Sequence, residues 1–144
     1  MQMELSIRRP IPPKFIGGKI YFADNDGNIL NAKGRKRKPQ FSPANRTYKG
    51  GSCYPHVKIG GRNYNVHILV CTAFWGPRPK DKKGNDFECH HLNGNKFDTR
   101  PANLIWLSRK EHLRFDAALR KGLILVHRDT ADLMLHDMTH HCEI

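Results

Sequence analysis

Apolar and polar residues alternate in short runs through most of the chain, and the breaks between runs fall at turn-forming residues. Lys19-Ile20-Tyr21-Phe22-Ala23 reads as a strand, Asp24-Asn25-Asp26-Gly27 as a turn, and Asn28-Ile29-Leu30 as the returning strand of a hairpin. Cys53 through Ile59 and Arg62 through Val66 alternate about Gly60-Gly61 and predict a second hairpin. The alternation then gives way to an apolar block, His67 to Trp75, closed by Gly76-Pro77. Its length and that stop signal predict a buried helix. Two further extended runs, Asp86 to Cys89 and Asn103 to Leu107, flank a polar loop containing Asn93-Gly94. Ser108 and Glu111 have the spacing of a capping box, so a helix starts there and runs toward Gly122. Pro10, Pro12 and Pro13 predict an irregular arm over residues 1–15, and 41–51 reads as loop. Leu123 to Val126 is an apolar run, followed by a short helix through Met138. The predicted class is α+β, with β-hairpins in front of a strand–strand–helix unit. The expected division is 1–50 (arm, hairpin and basic loop), 51–122 (core) and 123–144 (C-terminal appendage).

The strand–strand–helix unit carries the chemistry. His90 and His91 are adjacent on an extended run, and neighbours on a strand point to opposite faces. One imidazole can therefore bind a metal while the other meets a substrate from a different side. The loop returns the chain to Asn103, whose amide can hold the loop or a ring in place, and His112 follows in the helix as a second metal ligand. Two neutral imidazoles leave coordination positions open, as a catalytic site requires and a closed structural site does not. Asp24-Asn25-Asp26-Gly27 lacks the downstream acidic ligands of a calcium loop, and the hairpin reading stands. His67 reads as a packing or hydrogen-bonding residue. His136, His140, His141 and Cys142 read as solvated tail residues.

Charge narrows the partner. Lys and Arg number 25 against 13 Asp and Glu, a formal net charge of +12, with a pI near 9.9. A small chain this basic meets a polyanion. Its basic residues do not line an apolar-faced helix, so nucleic acid is favoured over a membrane surface. Three clusters stand out: Lys33, Arg35, Lys36, Arg37 and Lys38 in one loop; Arg78, Lys82 and Lys83 in another; Arg109, Lys110 and Arg114 on the last helix of the core. Mean hydropathy is −0.66, no run approaches the roughly 20 apolar residues of a membrane span, and the N-terminus shows no leader pattern. A cytoplasmic location is expected. Cys53, Cys71, Cys89 and Cys142 form no C-x-x-C pair, which argues against a zinc knuckle or a disulfide scaffold, and Cys71 and Cys89 read as buried thiols.

These residues resemble the HNH endonucleases of the ββα-metal (His-Me finger) fold, nearest in pattern to the phage- and intron-encoded homing type. His91, Gly94, Asn95, Asp98, Asn103, Leu104 and Trp106 follow that family's pattern, HxxGNxxDxxxxNLxW. The hairpin followed by Val66-His67-Ile68-Leu69-Val70 ahead of it is similar too. The resemblance implies that His91 is the general base that activates water, and that Asn103 constrains the loop that aims it. His90 and His112 would hold one divalent metal ion, with Mg, Mn, Zn and Ni all in question. Members of the family often carry Asp at the position of His90 and Asn at that of His112. The His-His pair is more like the bacterial toxin nucleases of the same superfamily. The implied activity is metal-dependent hydrolysis of DNA phosphodiesters, one strand per site, with a homodimer as one route to a double-strand break. A bacterial or phage origin is implied as well. The alternative is a basic nucleic-acid-binding module that retains the HNH frame without catalysis.

Overall fold

The structure is a computed structural model, of which residues 6–41 and 54–120 are described. The readings made for 42–53 and 121–144, including the C-terminal run, helix and histidines, lie outside them. The first part is a four-stranded antiparallel sheet in the order β1 (Arg8–Pro10), β2 (Tyr21–Asp24), β3 (Ile29–Asn31), β4 (Lys36–Arg37). The β2–β3 turn is fixed by Asp24. Its Oδ1 accepts the backbone N–H of Asp26 at 3.0 Å and of Asn28 at 2.8 Å, an Asx-type turn.

Two readings are corrected here. Within its described residues, 6–15, the Pro-rich arm is not irregular: β1 pairs with β2, and Pro10 is tolerated because β1 is an edge strand with no neighbour on its far side among the described residues. Pro13 then opens a 3-10 turn, Pro13–Phe15, and the flanking Ile11 and Ile16 are buried. The basic run is not an open loop either. Asn31 Oδ1 accepts the N–H of Lys33 and of Arg35, which turns the chain so that Lys36 pairs with Leu30 and Arg37 with Ile29.

β5 (His56–Ile59) and β6 (Arg62–Asn65) form the second hairpin about Gly60-Gly61, as expected. α1 (Val66–Trp75) follows directly, buries Val66, His67, Leu69, Val70, Cys71 and Thr72, and ends at Gly76. Gly76 takes φ 89° and donates its N–H to Thr72 O, a conformation that favours glycine. β7 (Glu88–His91) pairs antiparallel with β8 (Leu104–Leu107), and α2 (Arg109–Arg120) closes the unit. β7 starts later than the sequence suggested, because Asp86 bridges to Lys80 and the Phe87 N–H goes to Pro79 O. β8 also starts one residue later. Pro101 opens a second 3-10 turn, Pro101–Asn103, which takes Asn103 out of the ladder. Cys71 is a buried free thiol as expected, whereas Cys89 is only partly buried.

One apolar core joins these parts: Ile11, Ile16, Ala23 and Ile29 from the N-terminal sheet meet Val57, Val70 of α1, and Leu104 and Trp106 of β8. Indole N–H groups add fixed links, from Trp106 to Gly76 O at 2.9 Å and from Trp75 to Pro101 O at 3.0 Å.

The β2–β3 turn also touches the loop between β7 and β8. Thr99 Oγ1 donates to Gly27 O at 3.0 Å. Gly27 has φ 82°, and a Cβ there would lie 2.5 Å from the Thr99 carbonyl carbon. Gly27→Ala therefore combines a left-handed backbone with a backbone overlap, and we expect a loss of about 2 to 4 kcal/mol of stability. Chemical denaturation checks it; an unchanged midpoint would mean that this contact does not hold the loop.

Candidate active site

The β7–β8 ladder sets the geometry. Glu88 pairs with Leu107, Cys89 with Trp106, His90 with Ile105 and His91 with Leu104. Successive side chains of β7 therefore leave opposite faces, and the two histidines enter different surroundings. His91 turns toward α1 and the start of β5: its ring centroid is 4.9 Å from His67 and 5.8 Å from Tyr54, nearly parallel to the latter at 15°. His90 turns toward α2, 4.5 Å from His112 and 4.9 Å from Phe115, edge-on to both.

The helix start places His112. Ser108 Oγ accepts the Glu111 N–H at 3.2 Å, and Glu111 Oε2 accepts the Ser108 N–H at 3.3 Å, the reciprocal capping box. His112 then donates its backbone N–H to Ser108 O, which brings its ring over β7.

Asn103 holds the loop between the two strands. Its Oδ1 accepts the Asn93 N–H at 3.0 Å, its Nδ2 donates to Asp98 O at 2.9 Å, and its own carbonyl accepts the Leu92 N–H at 2.9 Å. Asp98 is fixed in turn by a bidentate pair from Arg100, 2.7 and 2.6 Å, and by the Asn93 amide at 2.9 Å. Those bonds hold the Asp98 carboxyl below its ordinary range. The segment directly after His91 is thereby rigid at both ends. Asn103 thus ties Asn93, Asp98 and Leu92 together.

Burial disfavours the charged form of His67, His90 and His91. Burial lowers the titration of His91, partly opposed by Asp98. Burial, then the His112 charge, pushes His90 down to about 4. Burial, then His91 and Arg78, pushes His67 down to about 3. From the ordinary 6.5 downward, the unfolded chain takes up protons on His90 and His67 that the folded chain refuses until about 4 and about 3 respectively. The unfolded state binds more protons in that window, so stability falls as pH drops through it. Urea unfolding of the metal-free protein should give a lower midpoint near about pH 5 than near about pH 7. Equal midpoints would mean that the buried rings are charged or open to water.

Four ring nitrogens are buried without a hydrogen-bond partner: His67 Nδ1, His90 Nε2, His91 Nε2 and His112 Nδ1. Those of His90 and His112 belong to the edge-on pair, and two carboxylates flank it. Glu88 Oε2 lies 3.1 Å from His112 Nδ1, out of line for a hydrogen bond, and Asp116 Oδ2 lies 3.1 Å from His112 Nε2. Among the described residues, no group of three or more such side chains converges as a closed metal site.

The basic candidates divide. Lys33, Arg35, Lys36, Arg37 and Lys38 are all exposed on the β3–β4 edge, but Arg37 donates to Lys58 O at 2.9 Å. The Arg78 guanidinium lies 5.3 Å over the Trp106 ring. Lys82 and Lys83 project from an exposed turn, while Arg109, beside Lys110 and Arg114 on exposed positions of α2, pairs with Glu88 at 3.6 Å. Of these, Arg78 is close enough to His67 to disfavour its charged form, and Arg109 reaches the Glu88 that lies beside His112. Sequence reasoning missed Glu88, Asp116 and Tyr54, and gave His67 a packing or hydrogen-bonding role. Glu88 stands two before His90 on a strand and Asp116 four after His112 on a helix, same-face spacings that were available.

Residues 64–114 match the family model described as HNH endonuclease. That span includes His67, His90, His91, Asn103 and His112, so the ββα unit and its histidines fall within the part of the chain that is similar to that family. The solved structure of the HNH homing endonuclease I-HmuI, described as one of DNA binding and cleavage, has a similar fold. Its TM-score is 0.51 at 24% identity, over 83% of this chain and 62% of that one. The chain thus spans less than two thirds of that protein's length. No curated protein matches the chain.

Proposed function

We propose that this protein is a metal-dependent endonuclease that hydrolyses DNA phosphodiester bonds, one strand per active site. The observation that carries the reading is the division of β7: a buried imidazole on one face, and on the other a pair of imidazoles whose buried nitrogens make no hydrogen bond. His91 takes a proton from the water that attacks phosphorus, a role for which a neutral ring is required. Asn103 and the Asp98–Arg100 pair keep the loop after His91 from yielding as substrate enters. His90 and His112 would hold one divalent ion, which supplies charge stabilisation to the phosphate and the leaving 3′ oxygen. Residues 51–122 carry this chemistry, and 1–50 present the basic edge to DNA. With one such site per chain, cutting both strands takes a second copy or a second encounter. Among the described residues no helix is long and apolar enough to cross a membrane, and we take the location to be cytoplasmic. Supercoiled plasmid incubated with the protein, with and without divalent metal, should be nicked only with metal. Binding without any nicking would favour the non-catalytic module instead.

The basic edge should affect affinity and not the chemical step. Each phosphate contact releases counterions and adds about 0.9 to the slope of log K against log salt. Arg37 is already bonded to Lys58 O, so Lys33, Arg35, Lys36 and Lys38 set the ceiling. Replacing the five residues by Ser should flatten the slope by up to about 3 to 4, with cleavage at saturating enzyme unchanged. A salt titration of both proteins measures it, and parallel lines would move the DNA surface to Arg78–Lys83 and α2.

A further inference from the structure

His67 stands in the first turn of α1 and His91 at the end of β7, and both are nearly enclosed, at 5% and 8% exposure. Each has one buried nitrogen without a partner, Nδ1 of His67 and Nε2 of His91. Two unpaired nitrogens in one apolar setting are costly to leave that way, and buried polar groups find partners where geometry permits. The geometry permits it here. Two imidazoles joined by a hydrogen bond of about 2.9 Å have centroids about 5 Å apart, and these centroids are 4.9 Å apart with the rings tilted by 45°. Tyr54 covers both, 4.6 Å from His67 and 5.8 Å from His91, so the two rings share one wall.

We propose that His67 is a positioning residue for His91: after a small ring rotation, His67 Nδ1 accepts the Nε2–H of His91. The bond assigns the proton of His91 to Nε2 and leaves Nδ1 as its free lone pair, because the hydrogen bond made by one ring nitrogen decides the state of the other. His67 suits the part. Burial, first, and then the neighbouring charges of His91 and Arg78 disfavour its charged form, and a neutral imidazole has one acceptor nitrogen. Its main chain is anchored separately, since the Cys89 thiol reaches the His67 carbonyl at 3.7 Å. This inference rests on the proposed role of His91 for its consequence in catalysis, but not for the bond itself.

The test uses the full chain labelled with ¹⁵N. Wild-type protein should show His91 with its proton on Nε2 and a through-bond ¹⁵N–¹⁵N coupling to His67 Nδ1. His91 protonated on Nδ1, or no coupling between the two rings, overturns the proposal whether or not the protein cleaves DNA. In His67→Phe the coupling partner is gone. We expect kcat for nicking to fall by about tenfold or more, with KM and metal content unchanged. His67→Gln, whose amide oxygen can accept the same proton, should recover part of the loss. Equal loss in both variants, with wild-type coupling absent, would leave His67 as packing only. A wild type that shows the coupling but never nicks plasmid would instead sink the nuclease reading and leave the bond standing.

Discussion

His91→Ala should lose nicking activity by about 100- to 10,000-fold while keeping its metal and most of its affinity for DNA. A general base acts on the proton that moves in the transition state, so its loss falls on the rate and not on binding. The structure makes the separation clean, because His91 leaves β7 on the face opposite His90 and touches His67 and Tyr54 rather than the His112 pair. Removing a buried ring also leaves a cavity, and some stability goes with it. That cavity offers a second readout: imidazole added to the solution should restore part of the lost rate. Plasmid nicking under single-turnover conditions measures the effect, with elemental analysis and a DNA-binding curve alongside. A variant that nicks at the wild-type rate would remove His91 from the reaction.

His112→Ala should lose both metal and activity. With two imidazoles as donors, removal of one leaves His90 alone, and one imidazole does not hold a divalent ion against water. The carboxylates do not rescue the site. Asp116 is paired with the His112 ring itself, and Glu88 is shared between His112 and Arg109. A drop in metal affinity of at least about 100-fold is expected, more than an outer residue causes. Imidazole donors also favour Mn²⁺, Ni²⁺ or Zn²⁺ over Mg²⁺ in binding strength. Metal content after dialysis decides the matter, and unchanged occupancy would place the ion elsewhere. The two variants together are more informative than either, since one removes rate with metal retained and the other removes both.

Much of this site was legible because its signals are local. The Ser108–Glu111 spacing fixed the start of α2 and so the placement of His112, since capping depends on atoms three residues apart. Alternation along β7 separated His90 from His91, because the period of two belongs to any strand. Asp24 and Gly27 marked the first hairpin turn through their own side-chain and backbone preferences.

Other features needed the folded chain. Pro10, Pro12 and Pro13 read as breakers, yet the core had room for Ile11 and Ile16 on either side, and that burial draws the arm into the sheet. Lys36 and Arg37 look like a solvated run until β3 offers an unpaired edge. Asn103 could be singled out by its spacing, but its three bonds to Asn93, Asp98 and Leu92 exist only once the loop has closed. The pairing of His67 with His91 is further still from local reading, since α1 and β7 meet only through the shared core. By itself the sequence determined which residues could do chemistry and on which element each would sit, since those preferences act over one turn or one pleat. Which of them face each other was decided only by tertiary packing, because the apolar burial that brings distant segments together has no direction of its own.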